Sequence, residues 1–324
     1  MVVQEAMIED TDWESLSKKE RAEMVKKALK KGDAETLVSL TSHNLVLYGR
    51  GGAATSPHTI RSYRAGVRQF LRYAFAKGWK RLLEYDTDLT IGYIRGLQKA
   101  GVTPGTINNR RSAAKAFYRA LRWAGLITAD PFADTPRAQE QVEKWEKREA
   151  YSKEDLAKLM AVADPDERLF LLLGSHAGLR ISEMISVTWA RVDMQARTMK
   201  ITGKGNKTAL VHMSSALHEA LESTPAEMRQ EYLLPWRNPK TLRLVLRSLC
   251  VHAGVKYAKR QVHGLRHSCA TNLLADTGDL YVVARHLRHS SVSTTETYAK
   301  VNPERLTSAL RKWADEAGAE SETK

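Results

Sequence analysis

Cysteine is almost missing from this sequence: Cys250 and Cys269 are the only two in 324 residues, and neither belongs to a Cys-x-x-Cys pair. That excludes a disulfide framework and a cysteine-based metal site, and the expected compartment is a reducing one. Long apolar runs are missing as well. The densest stretch, Leu169 to Leu173 with its surroundings, is far short of the roughly 20 residues that cross a bilayer, so no membrane span is expected. Nor is there a basic start followed by an apolar run: Glu5, Glu9, Asp10, Asp12 and Glu14 make the first residues acidic, and no export signal is expected. Internal repeats and low-complexity tracts are also lacking. Acidic residues are the scarcer charge, with 37 Asp and Glu against 51 Lys and Arg and a net charge of +14. A surplus of that sign suits a polyanion, because cationic side chains displace the counterions condensed on a phosphate backbone. Residues 1–40 are slightly acidic, and the excess is concentrated in residues 41–150, which carry about ten surplus positive charges.

At roughly 100 to 200 residues per domain the length implies two domains. Ser17 and Glu20 form a capping-box signal ahead of Met24, Val25, Ala28 and Leu29, and Gly32 ends that helix. Residues 1–32 therefore read as an acidic and helical extension. Asp33 caps a second apolar stretch through Leu37, Leu40 and Leu47. Ser56-Pro57 and Thr103-Pro104 start two further helices, which run to Gly78 and Gly125. The first of these carries Arg61, Arg64, Arg68 and Arg72, and the second Arg111, Lys115, Arg119 and Arg122. Steps of three and four residues place each set in one stripe. Two basic stripes on a small helical unit suit contact with phosphates; the plainer alternative is a solvated helix face. Pro131, Pro136 and the polar run after them mark the change of domain, giving a helical unit at 33–138, a linker at 139–150 and a second domain at 151–324. In that domain Ser152 caps a helix from Lys153 to Val162, helices cover Leu169 to about Gly178 and Ile181 to Val187, and Val192, Met199, Ile201, Leu210 and Val211 read as short strands. Gly203-Lys204-Gly205-Asn206 is turn chemistry between two of them. The expected fold class is mainly α with a small antiparallel β-sheet in the second domain.

Several polar groups stand at helix starts or turns: Arg180 before Ile181-Ser182-Glu183, Lys204, His263 and Arg266 in His-Gly-Leu-Arg-His, His289 after Leu287-Arg288, and Tyr298. Two arginines, a lysine, two histidines and a tyrosine suit phosphoryl transfer without metal, because guanidinium forks match pairs of phosphate oxygens and keep their charge. Each also has a plainer reading, such as a helix salt bridge for Arg180 with Glu183. Zinc deserves weighing, since His263 and His267, and His286 and His289, have ligand-like spacing. Against it, Arg266 and Arg288 lie inside the same motifs, and no carboxylate or thiolate accompanies the histidines. No metal and no cofactor is expected.

In order and spacing these groups resemble the tyrosine recombinases, the lambda-integrase and Xer group. The resemblance spans about residues 33 to 315. It is most specific at Gly178 to Glu183, at His263 to Thr271, and from His289 to Tyr298, nine residues on. It implies that Arg180 and Arg266 clamp a scissile phosphate, that His263 and His289 hydrogen-bond and transfer protons, that Lys204 protonates the departing 5′ oxygen, and that Tyr298 is the nucleophile. Lys207 is then a DNA contact and Glu183 a support for the site. Arg288 departs from the pattern, standing where the family usually has glycine, and reads as an added DNA contact. The resemblance further implies a two-domain C-shaped clamp on double-stranded DNA. Its partners would be copies of itself or a related recombinase, in a homo- or hetero-tetramer, and its place the cytoplasm and nucleoid. After Tyr298, a helix from Pro303 with Leu306, Leu310 and Trp313 docks either on a neighbour or on its own domain. Competing readings are a type IB topoisomerase-like relaxing enzyme and a non-catalytic DNA-binding protein on the same scaffold.

Overall fold

The computed structural model describes residues 11–49, 51–139, 149–203, 208–257 and 260–288. The chain divides into two compact units, Met1–Gln141 and Val142–Lys324. Among the described residues the architecture is mostly helical with one small antiparallel sheet, and no helix is long and apolar enough to cross a membrane.

The first unit contains α1 (Lys18–Lys31), α2 (Ala34–Tyr48), α3 (Pro57–Lys77), α4 (Thr87–Lys99) and α5 (Pro104–Trp123). Local chemistry sets the boundaries. The Ser17 hydroxyl accepts from the Glu20 amide at 3.3 Å while the Glu20 carboxylate accepts from the Ser17 amide at 2.8 Å, so both ends of the capping box are closed. Pro57 and Pro104 occupy the first helical turn, where a missing N–H costs nothing. The core is aromatic at its centre: Phe70 meets Tyr93, Phe117, Tyr118 and Phe132 with ring centroids 5.1 to 6.2 Å apart. The spacing-based reading has no element between Gly78 and Thr103, yet α4 lies there, capped by Asp86 and burying Leu89, Tyr93, Ile94 and Leu97.

Residues 11–32 of the N-terminal extension are built into this unit. Trp13, Val25 and Leu29 belong to the same buried cluster as Leu37, Phe70 and Phe117. Trp13 is 0% exposed and its indole N–H donates to Ser39 Oγ at 3.1 Å. Arg21 lies over the Trp123 ring at 4.2 Å, and His43 stacks on the same ring. Trp13→Ala is therefore expected to destabilise the first unit by about 3–5 kcal/mol. Denaturant unfolding of the full chain reads this, and a loss within error would mean that residues 11–32 only rest on the unit.

The second unit contains α6 (Lys153–Val162), α7 (Pro165–Ser175), α8 (Ile181–Met184), β1 (Val192–Asp193), β2 (Thr198–Thr202), β3 (Thr208–His212), α9 (Ser215–Glu222), α10 (Pro239–His252), α11 (Gln261–Thr277) and α12 (Leu280–His286). The strands pair in the order β1-β2-β3, with Met199 opposite Val211 and Thr202 opposite Thr208. Met199, Ile201 and Val211 face the core, while Lys200 and Leu210 point outward, the alternation of a half-buried sheet. The helix expected over Ile181–Val187 stops at Met184. Beyond it the backbone pairs with residues 231–233: Trp189 N–H donates to the Glu231 carbonyl and Leu233 N–H to the Val187 carbonyl, both at 3.1 Å.

Candidate active site

The site grows from the turn between α7 and α8. Gly178 has φ +59°, and a Cβ there would lie 2.4 Å from Leu287 Cδ2 and 3.2 Å from Cys269 Sγ. Only glycine both adopts that backbone and lets the turn press against α11 and the end of α12. Arg180 follows as the residue before α8. Its amide N–H donates to Glu183 Oε2 at 2.8 Å and its Nη1 to Glu183 Oε1 at 2.8 Å. The Glu183 side chain is 3% exposed, whereas that of Arg180 is 40% exposed. A buried carboxylate thus holds a guanidinium whose other edge faces solvent.

From α11, Arg266 reaches the same turn. Its residue exposure is 1%; Nη1 donates to the Gly178 carbonyl and Nη2 to the Leu287 carbonyl at 2.6 Å. His263 lies on the same face of α11, three and four residues before Arg266 and His267. Its exposed ring meets the buried His267 ring edge to face, with centroids 4.7 Å apart. The rest of the His-Gly-Leu-Arg-His-Ser motif anchors the helix. A Cβ on Gly264 would come within 2.9 Å of the Tyr151 ring and 3.2 Å of the Glu149 carbonyl. The Ser268 hydroxyl donates to the Tyr151 carbonyl and accepts from the Tyr151 amide, each at 2.8 Å.

Arg288 completes the cluster, and the expectation that it adds a DNA contact is corrected. Its side chain turns inward, with Nη2 2.9 Å from Glu183 Oε2 and 3.2 Å from the Gly178 carbonyl. Glu183 and Gly178 therefore link three arginines, Arg180, Arg288 and Arg266. Burial works to raise the Glu183 carboxyl, but the Arg288 charge and then the N–H groups of Arg180 outweigh it, and the group sits below its ordinary range. Burial pushes the Cys269 thiol up to about 12, against the pull of Arg266 and Arg288. It is a packed thiol, not a rival nucleophile. Burial also lowers His176 and His286, which keeps both neutral near pH 7. No cluster of metal-binding side chains occurs among the described residues.

Of the residues singled out in sequence, Arg180, Glu183, His263 and Arg266 belong to this second-unit cluster, while Lys204, Lys207, His289 and Tyr298, with the helix expected from Pro303, lie outside the described residues. The two basic stripes fare differently. On α3, Arg61 and Arg72 are exposed, while Arg68 grips Glu35 through Nε and Nη2 at 2.6 Å each and Arg64 approaches the same carboxylate at 3.9 Å. The four α5 residues are half-buried, and each has a partner within its own unit. Arg111 donates to the Phe132 and Thr135 carbonyls, Lys115 pairs with Asp130 at 3.2 Å, Arg119 donates to Asn44 and Arg122 to the Ala129 carbonyl. Segment 129–135 supplies the partners of Arg111, Lys115 and Arg122, and α2 that of Arg119. A groove of about 440 Å³ runs between α3 and α5, lined by Arg68, Gln69, Arg72, Asn109 and Arg110 among others. Asn109 and Arg110 were not singled out; their steps of three and four from Thr106 are the signal that pointed to this face.

Arg180 thus keeps a solvent-facing edge beside its buried carboxylate, whereas both Nη atoms of Arg266 are taken up by backbone carbonyls in the interior; the comparisons with known proteins give the family. Residues 150–305 match the phage integrase family and residues 52–125 match its N-terminal SAM-like domain. The chain belongs to the tyrosine recombinase family, of the Xer and lambda-integrase type, whose members cleave and rejoin DNA without metal or ATP. Tyrosine recombinase XerD of Rhizobium meliloti is 30% identical over 283 residues, covering 79% of this chain and 88% of that protein. Tyrosine recombinase XerC of Myxococcus xanthus is 30% identical over 271 residues, covering 78% and 90%. In fold, the chain is similar to XerH site-specific recombinase bound to its palindromic difH substrate, with a TM-score of 0.63 at 19% identity over 79% of this chain and 80% of that one. It is also similar to a lambda integrase dimer bound to a COC′ core site, with a TM-score of 0.62 at 16% identity over 81% and 76%.

Proposed function

We propose that this site-specific recombinase cuts one strand at each of two double-stranded DNA sites through Tyr298 and passes the strands through a Holliday junction within a tetramer. The tetramer is built from copies of itself or with a related recombinase. The observation that supports this most is the Glu183-held Arg180 fork beside Arg266, pinned at the Gly178 turn, inside the matched catalytic region. Arg180 and Arg266 neutralise the equatorial phosphate oxygens as the phosphorus becomes five-coordinate. The Tyr298 phenol oxygen forms a bond to phosphorus as the bond to the 5′ oxygen breaks. His263 and His289 hydrogen-bond the phosphate and take the phenol proton, and Lys204 gives a proton to the departing 5′ oxygen. Lys207 and the exposed α3 arginines hold the backbone. The product is a 3′-phosphotyrosyl bond and a free 5′ hydroxyl. The phosphodiester's energy is conserved in that bond, so attack by another strand's hydroxyl reverses the step. The DNA it acts on would be that of the cytoplasm and nucleoid.

Plasmid topology separates this reading from its competitors. Supercoiled plasmids carrying none, one or two copies of a site taken from the DNA bordering the coding region are incubated with the full chain. Recombinant circles are expected only with two copies. Relaxation of all three plasmids would establish a topoisomerase-like enzyme instead, and binding with neither outcome a DNA-binding protein.

A further inference from the structure

We propose that Arg288 is a positioning residue for strand cleavage: it holds the Glu183 carboxylate from the side opposite Arg180, and so keeps the Arg180 fork available to phosphate. This rests on the recombinase reading above. Arg288 follows α12 at φ +57°, with its N–H donating to the Arg285 carbonyl at 3.0 Å. That left-handed position just past a helix end is one that glycine fills without strain. A side chain persists there only where its surroundings hold it. Here the long side chain leaves the helix end and is 10% exposed. Besides Glu183 and the Gly178 carbonyl, its Nη1 donates to the His286 carbonyl at 3.0 Å and reaches the Ala177 carbonyl at 3.5 Å. Every one of these acceptors belongs to the turn that carries Arg180, to α8 just after it, or to the end of α12.

The consequence is electrostatic. Glu183 is one buried negative charge shared by two guanidinium groups, with Arg180 on Oε1 and Arg288 on Oε2. Together the three leave one net positive charge at the exposed edge, where Arg180 stands. With glycine at 288 the carboxylate would have Arg180 alone, and the fork would be drawn into a closed, neutral pair. Arg288 also shares the Gly178 carbonyl with Arg266, so one side chain ties both phosphate-clamping arginines to a single turn.

The test uses the full chain and a nicked suicide duplex chosen from the bordering DNA for forming a wild-type adduct. Arg288→Gly relieves the backbone but leaves the buried Glu183 carboxylate and the Gly178 and His286 carbonyls each one donor short. It is therefore expected to melt below the wild type, to stay folded at the assay temperature and to bind the duplex with wild-type affinity. Its adduct formation at saturating protein is expected to slow roughly 10- to 100-fold, the usual loss when a partner that orients a reacting group is removed. Arg288→Lys keeps the charge without the fork and should recover part of the rate. The Arg288→Gly rate should also fall off at higher pH than that of the wild type on acidification. The groups facing Glu183 are Arg180 from its own turn and Arg288 from the end of α12, and losing Arg288 removes the charge that most lowers this carboxyl. An Arg288→Gly chain that cleaves as fast as wild type with the same pH profile overturns the role of Arg288. So does one that loses only affinity, which would make Arg288 a DNA contact. If no bordering duplex that the wild type binds yields an adduct, the recombinase reading itself fails.

Discussion

Tyr298→Phe is expected to bind DNA as the wild type does and to form no covalent adduct on a nicked suicide duplex, a loss on the order of 10⁴-fold or more, as when other covalent nucleophiles are removed. In the proposed reaction the phenol oxygen makes the new bond to phosphorus, and phenylalanine keeps the ring while deleting it. A phenol has an ordinary pKa near 10. At neutral pH it can attack only where cations stabilise the developing phenolate and a base takes its proton, and the Arg180, Arg266 and His263 cluster is suited to supply that field. Denaturing gels of protein crosslinked to labelled DNA read the result directly. An adduct that persisted in the variant would require another nucleophile. Cysteine is a poor candidate, because burial raises both thiols, Cys269 to about 12.

The parts of this fold legible in sequence are those where one residue carries its own physical signal. Ser17 with Glu20, Ser56-Pro57 and Asp33 announce helix starts because capping is local chemistry, and the structure has helices there. The helix α4 carries the same kind of local signal, with Asp86 as its cap and Leu89, Tyr93, Ile94 and Leu97 at helical spacing, so nothing in its sequence hides it. Side-chain direction was the blind spot. Spacing aligned Arg111, Lys115, Arg119 and Arg122 but carried no notice that residues 129–135 and Asn44 would supply them with partners. The acidic residues near the start obscured Trp13, whose indole fills the core beside α2. At Arg288 the sequence showed a cation in glycine's usual place; only the packed turn shows that it points at Glu183. The motif around Arg180 and Arg266 was readable because its glycines, Gly178 and Gly264, have physical work to do: each sits where a Cβ would collide with a neighbouring element. Lys204, His289 and Tyr298 rest on their order, spacing and family resemblance.

Arg266→Ala should do more damage than Arg180→Ala, because the two arginines are held in opposite ways. Arg266 is buried and donates to the carbonyls of Gly178 and Leu287. Removing its guanidinium takes a partner from two carbonyls at about 1–3 kcal/mol each and opens a cavity between α11 and the turn. The catalytic unit is then expected to lose about 2–5 kcal/mol of stability together with its cleavage activity. Arg180 is 40% exposed, and its carboxylate partner keeps Arg288 when it is gone. Arg180→Ala should therefore cost cleavage at least 100-fold, roughly the loss seen when one donor to a developing charge is removed, with the smaller stability change. Arg266→Lys sharpens the comparison. An ammonium keeps the charge but cannot span two carbonyls as a planar fork does, so stability should recover only in part and cleavage should remain slow. Denaturant midpoints and single-turnover cleavage, both measured below the variants' melting temperatures, separate the two effects. If Arg266→Ala unfolded at the wild-type midpoint, Arg266 could not be the brace that holds the Gly178 turn against the end of α12, and the geometry assigned to both phosphate-clamping arginines would lose its foundation.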